Sequence, residues 1–250
     1  MTGRLPWVLL GGLVLVQISY PLTGGGARAV VTVVTVALGF ATSVSHALLT
    51  RGARTAALLV AVTAGGGFAV EALGVATTLP FGEYAYSGEL GPRVAGVPVV
   101  VPLAWTWMAW PAWLAAVRVV RSRPARVALA TVGLAAWDLF LDPQMVAAGY
   151  WTWADPHPAL PGVPDVPIGN YLGWLAVALV MMLLLGVADR TGTRRGDTPM
   201  YALYLWTYVA SILAHAVFLE LPGTGSALWG ALGMGLLAAP LAWSLREAPP

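Results

Sequence analysis

The chain has 250 residues, of which 58% are hydrophobic and only 10% charged, and a formal net charge of +2. Soluble domains carry about a quarter charged residues, so the composition excludes an ordinary soluble fold, and so small a net charge gives no footing for nucleic acid. The absence of cysteine excludes disulfides and thiolate-held iron–sulfur or haem centres.

Runs of about 20 apolar residues mark membrane spans. In chain order the sequence predicts eight, at roughly 5–22, 29–50, 55–79, 99–120, 127–149, 168–188, 200–220 and 226–245. The first opens on Arg4 and an apolar core, as a signal peptide does, but it is long for one and no small-x-small cleavage site follows. Every basic residue other than histidine is an arginine. With the N-terminus in the cytoplasm, Arg4, Arg51, Arg54, Arg118, Arg121, Arg123, Arg126, Arg190, Arg194, Arg195 and Arg246 fall on the inner side, and Arg28 and Arg93 on the outer. That asymmetry follows the positive-inside rule. The expectation is an all-α polytopic protein of the plasma membrane with about eight transmembrane helices. It forms a single integral membrane domain over 1–250, and both termini are cytoplasmic.

Two outer connections, 80–98 and 150–167, are long and rich in Gly, Pro, Tyr and Trp. The tract PALPGVPDVP resists helix because proline lacks a backbone donor. Setting Glu71 against Asp138 aligns the segments that carry these connections. Gly82 and Gly149 then correspond, as do Tyr84 and Tyr86 with Trp151 and Trp153, the GVP tracts at Gly96 and Gly162, and Trp105 with Trp174. Spans three–four and five–six (65–120 and 127–188) read as two copies of one hairpin, related by an axis along the membrane normal. The competing explanation is that outer loops of any such protein collect these residue types.

The chemistry lies in the acids within the spans. A carboxylate at the bilayer centre costs roughly 2.5–3.5 kcal/mol on insertion scales. Glu71, Asp138 and Asp142 together would cost on the order of 10 kcal/mol facing lipid, as much as a domain's stability, so they face the bundle interior. Asp138 and Asp142, four apart, share a helix face. Together with His215 and Glu220 the three acids fall toward the outer half of their spans. Asp142 before Pro143 also has the pattern of an N-cap followed by the first helical residue. Glu71 follows three glycines that permit close helix approach, and a lone buried histidine such as His215 is commonly a core residue. His46, near an inner end, and His157, in a loop, point to no chemistry. Most of the 12 Trp read as interface or packing residues.

The scattered histidines cannot form a histidine-ligated iron site, and no Gly-rich phosphate motif follows a strand. DLFLD has the spacing of one aspartate motif of membrane prenyltransferases, but the second motif such enzymes need for Mg²⁺-diphosphate is missing. Acid–base chemistry on an apolar substrate remains, with no metal.

The segments PFGEYAYSGELGPRVAGVPVVVPLAW, WDLFLDPQMVAAGYWTW and VPIGNYLGW resemble the membrane carotenoid hydratases of the bisanhydrobacterioruberin hydratase type. The resemblance covers about 80–175, and the flanking spans match only in hydropathy. It implies an enzyme that needs no cofactor and adds water to the terminal double bond of an acyclic ψ end group, giving a tertiary alcohol. The substrate implied is a lycopene-like, monocyclic or C50-precursor carotenoid drawn from the lipid bilayer. The reaction needs a proton donor, a stabilised tertiary cation and a positioned water. Asp138, deepest in its span, is the candidate acid. Asp142 or Glu71 would orient the water and take its proton, and His215 is a further catalytic candidate. Trp137, Trp105, Tyr150 and Trp151 offer ring faces to a cation, and Tyr84, Tyr86 and Asn170 complete the candidate substrate site. A proton-initiated carotenoid cyclase, a prenyl elongase and a non-enzymatic proton-coupled transporter or carotenoid-binding protein are the alternatives.

Overall fold

The computed structural model describes residues 2–189, 191–219, 221, 223 and 225–247, so Arg190 and Glu220 lie outside the described residues. Helix α1 (Leu5–Ser19) runs into a 3₁₀ turn, and α2 (Gly25–Arg51) returns beside it. The third apolar stretch is α3 (Ala53–Val60), a π-helical turn (Ala61–Gly65) and α4 (Gly66–Thr77). Then come α5 (Val101–Val119), α6 (Arg123–Ala135), α7 (Asp138–Ala147) and α8 (Ile168–Ala188). Helix α9 (Thr198–Leu213) ends in a second π-helical turn (Ala214–Phe218), and α10 (Gly225–Arg246) follows. Seven of these stretches are long and apolar enough to cross a membrane, and the chain is an all-α polytopic membrane protein.

The predicted fourth span behaves differently. Helix α5 has 19 residues, about 28 Å at 1.5 Å per residue, yet its four Trp and two Pro make it less apolar than its neighbours. Nearly every side chain from Ala104 to Val117 is buried. It packs against α2, α6, α9 and α10 at the centre of the bundle, where a lipid-compatible surface is not needed. Helices in lipid approach closely only where side chains are small, and α5 shows this with its indoles. A Cβ at Gly39 of α2 would sit 2.4 Å from Trp107, and one at Gly67 of α4 would sit 2.6 Å from Trp105.

The fifth stretch breaks at Ala136–Trp137, just before Asp138. The break is earlier than the Asp142-Pro143 pair predicts, so Asp142 is no N-cap. Trp137 holds that position, and Pro143 lies inside α7. The carboxyl of Asp142 is thereby free for tertiary partners.

At the arginine-bearing end a polar cluster missing from the sequence analysis ties α2 and α5 to the α8–α9 connection. Arg51 Nη2 donates to Asp197 Oδ2 at 2.9 Å and Arg51 Nε lies 3.8 Å from Asp189 Oδ1, all three side chains being at most 2% exposed. Trp113 Nε1 donates to Asp189 Oδ2 at 3.1 Å. Trp110 Nε1 donates to His46 Nδ1 at 3.0 Å, which makes Nε2 the protonated nitrogen, and it donates to the Gly196 carbonyl at 2.9 Å. His46 is thus a joint between elements. Removing one partner of a buried ion pair strands the other. Arg51→Met is expected to cost about 3–5 kcal/mol, read as an earlier unfolding transition in detergent, with Arg51→Lys recovering part of it.

The two long connections at the opposite end form short ribbons. β1 (Tyr84–Tyr86) pairs antiparallel with β4 (Trp151–Trp153) in the register Tyr84↔Trp153, Ala85↔Thr152, Tyr86↔Trp151. β2 (Arg93–Val94) pairs with β3 (Val97–Pro98), and β5 (Ala159–Leu160) with β6 (Val163–Pro167). PALPGVPDVP avoids helix, as its prolines require, by becoming this last hairpin.

Candidate active site

The β1–β4 ribbon covers the acids. Side chains alternate across a strand, so Tyr84 and Tyr86 lie on the same face of β1. Tyr84 Oη and Tyr86 Oη both donate to Glu71 Oε2 at 2.7 Å, and Trp105 Nε1 approaches Oε1 at 3.4 Å. Burial, together with the Glu71 carboxyl, pushes both phenols above their ordinary pKa, so they remain donors at neutral pH. Glu71, only 5% exposed, is a carboxyl surrounded by donors that occupy its oxygens.

Across the ribbon, Trp151 Nε1 donates to Asp142 Oδ1 at 3.0 Å. Asn170, near the start of α8, spreads its amide between the aspartates, donating to Asp138 Oδ2 at 2.8 Å and to Asp142 Oδ2. Asn170 thereby bridges the two carboxyls, which stand one turn apart on α7. Asp138 Oδ1 is buried without a partner. The Tyr86 ring meets the Trp151 ring edge-on at 5.6 Å, so the Glu71 and Asp142 anchors touch.

These groups border a cavity of about 150 Å³. Glu71 and Asp142 line it, as do Trp137, Tyr84, Tyr86, Trp105, Trp151 and Asn170. Trp105 stacks on Trp174 with ring centres 3.8 Å apart, and Trp137 presents an edge to Trp174 at 6.3 Å and to Trp107 at 5.1 Å. Three predicted site residues stand off the wall. Asp138 is one turn deeper, behind Asn170 and Asp142. Tyr150 is 1% exposed, its hydroxyl 3.4 Å from Thr32 Oγ1 and its carbonyl accepting from Ser87 N at 2.7 Å. It fastens the ribbon. His215 packs behind Phe140 with ring centres 5.0 Å apart and bonds Ser226 Oγ at 2.9 Å, so the second π-helical turn does not bring it to the acids.

Trp174 is a wall residue not foreseen from the sequence, and neither were Gln17, Gln144, Thr207 and Ser211, which add polar groups to the wall. Gln17, Thr207 and Ser211 stand in largely apolar runs and Gln144 follows the Asp142-Pro143 pair, and the signal available was the offset that matched Trp174 to Trp105. Gly67 is a sensitive point. Its missing Cβ makes room for Trp105, and that indole is pinned by Trp174. Gly67→Ala is expected to disturb the stack, visible as an altered near-ultraviolet circular dichroism signal, and to weaken the bond to Glu71. Overpacking of this kind costs about 1–3 kcal/mol.

Fold and site define a polytopic membrane protein with an apolar chamber, roofed by an aromatic ribbon, in which carboxyls supply the ionisable chemistry. The model of the carotenoid biosynthesis protein family matches residues 29–240, and the chain belongs to that family. It is also 36% identical over 136 residues to the bisanhydrobacterioruberin hydratase of Haloarcula japonica, a match covering 51% of this chain and 44% of that protein. This chain therefore matches less than half the length of that relative. No solved structure matches.

Proposed function

We propose that the protein is a carotenoid hydratase that adds water to the terminal trisubstituted double bond of an acyclic ψ end group. The observation that carries this reading is a donor-surrounded carboxyl, Glu71, lining the same apolar chamber as a second carboxyl, Asp142, which Asn170 ties to Asp138 behind it. Family membership supports a carotenoid as the substrate class, and the relative's name supports hydration.

Asp142, on the wall, gives its proton to the CH carbon of the double bond, and the π electrons form the new C–H bond. Positive charge develops on the dimethyl-substituted carbon, where the faces of Trp137, Trp105 and Trp151 oppose it with roughly 2 kcal/mol or more in a desolvated site. A water held against Glu71 attacks that carbon through oxygen and passes its extra proton to Glu71. Transfer of that proton through the chamber back to Asp142 restores both carboxyls, so the net change is addition of H₂O. Asp138, deeper on the same helix, holds Asp142 in position through Asn170, a supporting role in place of the acid role expected from its depth in the span.

We further read 65–120 and 127–188 as two copies of one hairpin. Segments matched by that alignment meet one another, with Ala85 and Thr152 as the equivalent positions at the centre of the ribbon. Tyr84 and Tyr86 pair with Trp153 and Trp151 about Ala85 and Thr152, Trp105 stacks on Trp174, and Gly82 with Gly149 and Gly96 with Gly162 share positive φ. Glu71 and Asp138 are then counterparts, and Asp142, standing where the first copy has Val75, makes the two sides chemically unequal. The arginine asymmetry supports cytoplasmic termini.

Expression in cells that make lycopene tests the function. Products heavier by one water per hydrated end are expected. Products isomeric with lycopene would mean cyclisation, and unchanged lycopene would refute the reading.

A further inference from the structure

The chamber of about 150 Å³ is far too small for a whole carotenoid, so most of the polyene must lie elsewhere. A larger groove of about 600 Å³ lies next to it, between the first turns of α2 and the connection that precedes α5. Gly26, Ala29, Val30 and Val33 form one side, and Pro92 and Val99 belong to the other. These side chains are short or absent, which suits a flat conjugated chain. Val30 is 63% and Val99 45% exposed, so the groove faces outward, where a membrane protein meets lipid. Among the described residues its one charged lining residue, Glu89, is exposed. Leu90 and Val100 line both the groove and the chamber and are about 5% exposed or less. They form a partition of two apolar side chains between lipid-facing groove and acids.

We propose that the groove is the polyene-binding site, occupied by the conjugated chain of the substrate while its ψ end group passes between Leu90 and Val100 into the acid chamber. This inference rests on the carotenoid reading above. It assigns α2 and the 87–100 connection the selection of chain length, and it places substrate uptake in the outer half of the membrane. The competing route runs between α1 and α9, where Gln17, Ala210 and Ser211 line the opposite wall.

The test compares purified wild type with Val30→Trp, Val33→Trp and Ala210→Trp on lycopene and on 2,6-dimethyloct-2-ene, a short alkene with the same terminal group. Val30 is largely exposed, so its replacement tests the groove without repacking the core. In both valine variants the ratio of lycopene to short-alkene hydration should fall by about tenfold or more, and lycopene should be retained less on purification. Ala210→Trp, which puts an indole on the wall of the chamber itself, should lower hydration of both alkenes together and so keep the wild-type ratio. An unchanged ratio and unchanged retention in both valine variants, or a fall confined to Ala210→Trp, would overturn the groove while leaving the hydratase reading intact. Failure of the wild type to hydrate either alkene would overturn that reading, and this inference with it.

Discussion

Replacing Glu71 by Gln is expected to leave a folded protein whose hydration rate has fallen by about two to four orders of magnitude, the usual contribution of a positioned acid or base. Glutamine keeps the shape of the side chain but cannot accept a proton from the attacking water. Its amide must also turn one end toward the hydroxyls of Tyr84 and Tyr86, both of which now donate to a single carboxyl oxygen at 2.7 Å. Tyr86→Phe removes one of those donors and keeps the ring against Trp151, so it should lose far less activity than Glu71→Gln. Rates measured with saturating carotenoid, alongside the thermal transition of each variant, separate this chemical loss from misfolding. Equal losses in the two variants would mean that Glu71 acts only by fixing the ribbon.

The second large effect is expected at Asp142. Asp142→Asn keeps the acceptor for Trp151 Nε1 but removes the proton that the wall presents to the substrate, and a loss of about a hundredfold or more follows. Asp138→Asn should cost less, because Asp138 stands behind Asn170 and reaches the chamber only through its partner. The order of the two losses, measured on the same substrate, is the informative quantity. A greater loss at Asp138 would restore it as the acid.

Much of this was legible in the sequence, for identifiable reasons. Apolar length located the spans, since the bilayer imposes it. The cost of a charge in lipid singled out Glu71, Asp138 and Asp142, and the structure buries all three. The offset that aligned Tyr84 and Tyr86 with Trp151 and Trp153 involved residues that meet in one ribbon. Other features were not legible. The Asp-Pro pair suggested a cap because local rules favour one, but tertiary bonds from Trp151 and Asn170 take that carboxyl and the helix breaks earlier. His215 reads as a candidate on depth alone, and depth does not reveal that Phe140 stands before it. The cluster of His46, Arg51, Asp189 and Asp197 joins a span end to a distant connection, and no spacing along the chain announces it.

The central claim is that this chamber protonates an alkene and lets water capture the cation. Incubating the purified protein with lycopene in ¹⁸O-labelled water tests it most directly. The expected product gains one water per hydrated end, with the heavy oxygen in a tertiary hydroxyl and with formation lost in Asp142→Asn and Glu71→Gln. A product without added oxygen, or full labelling by both variants, would contradict it.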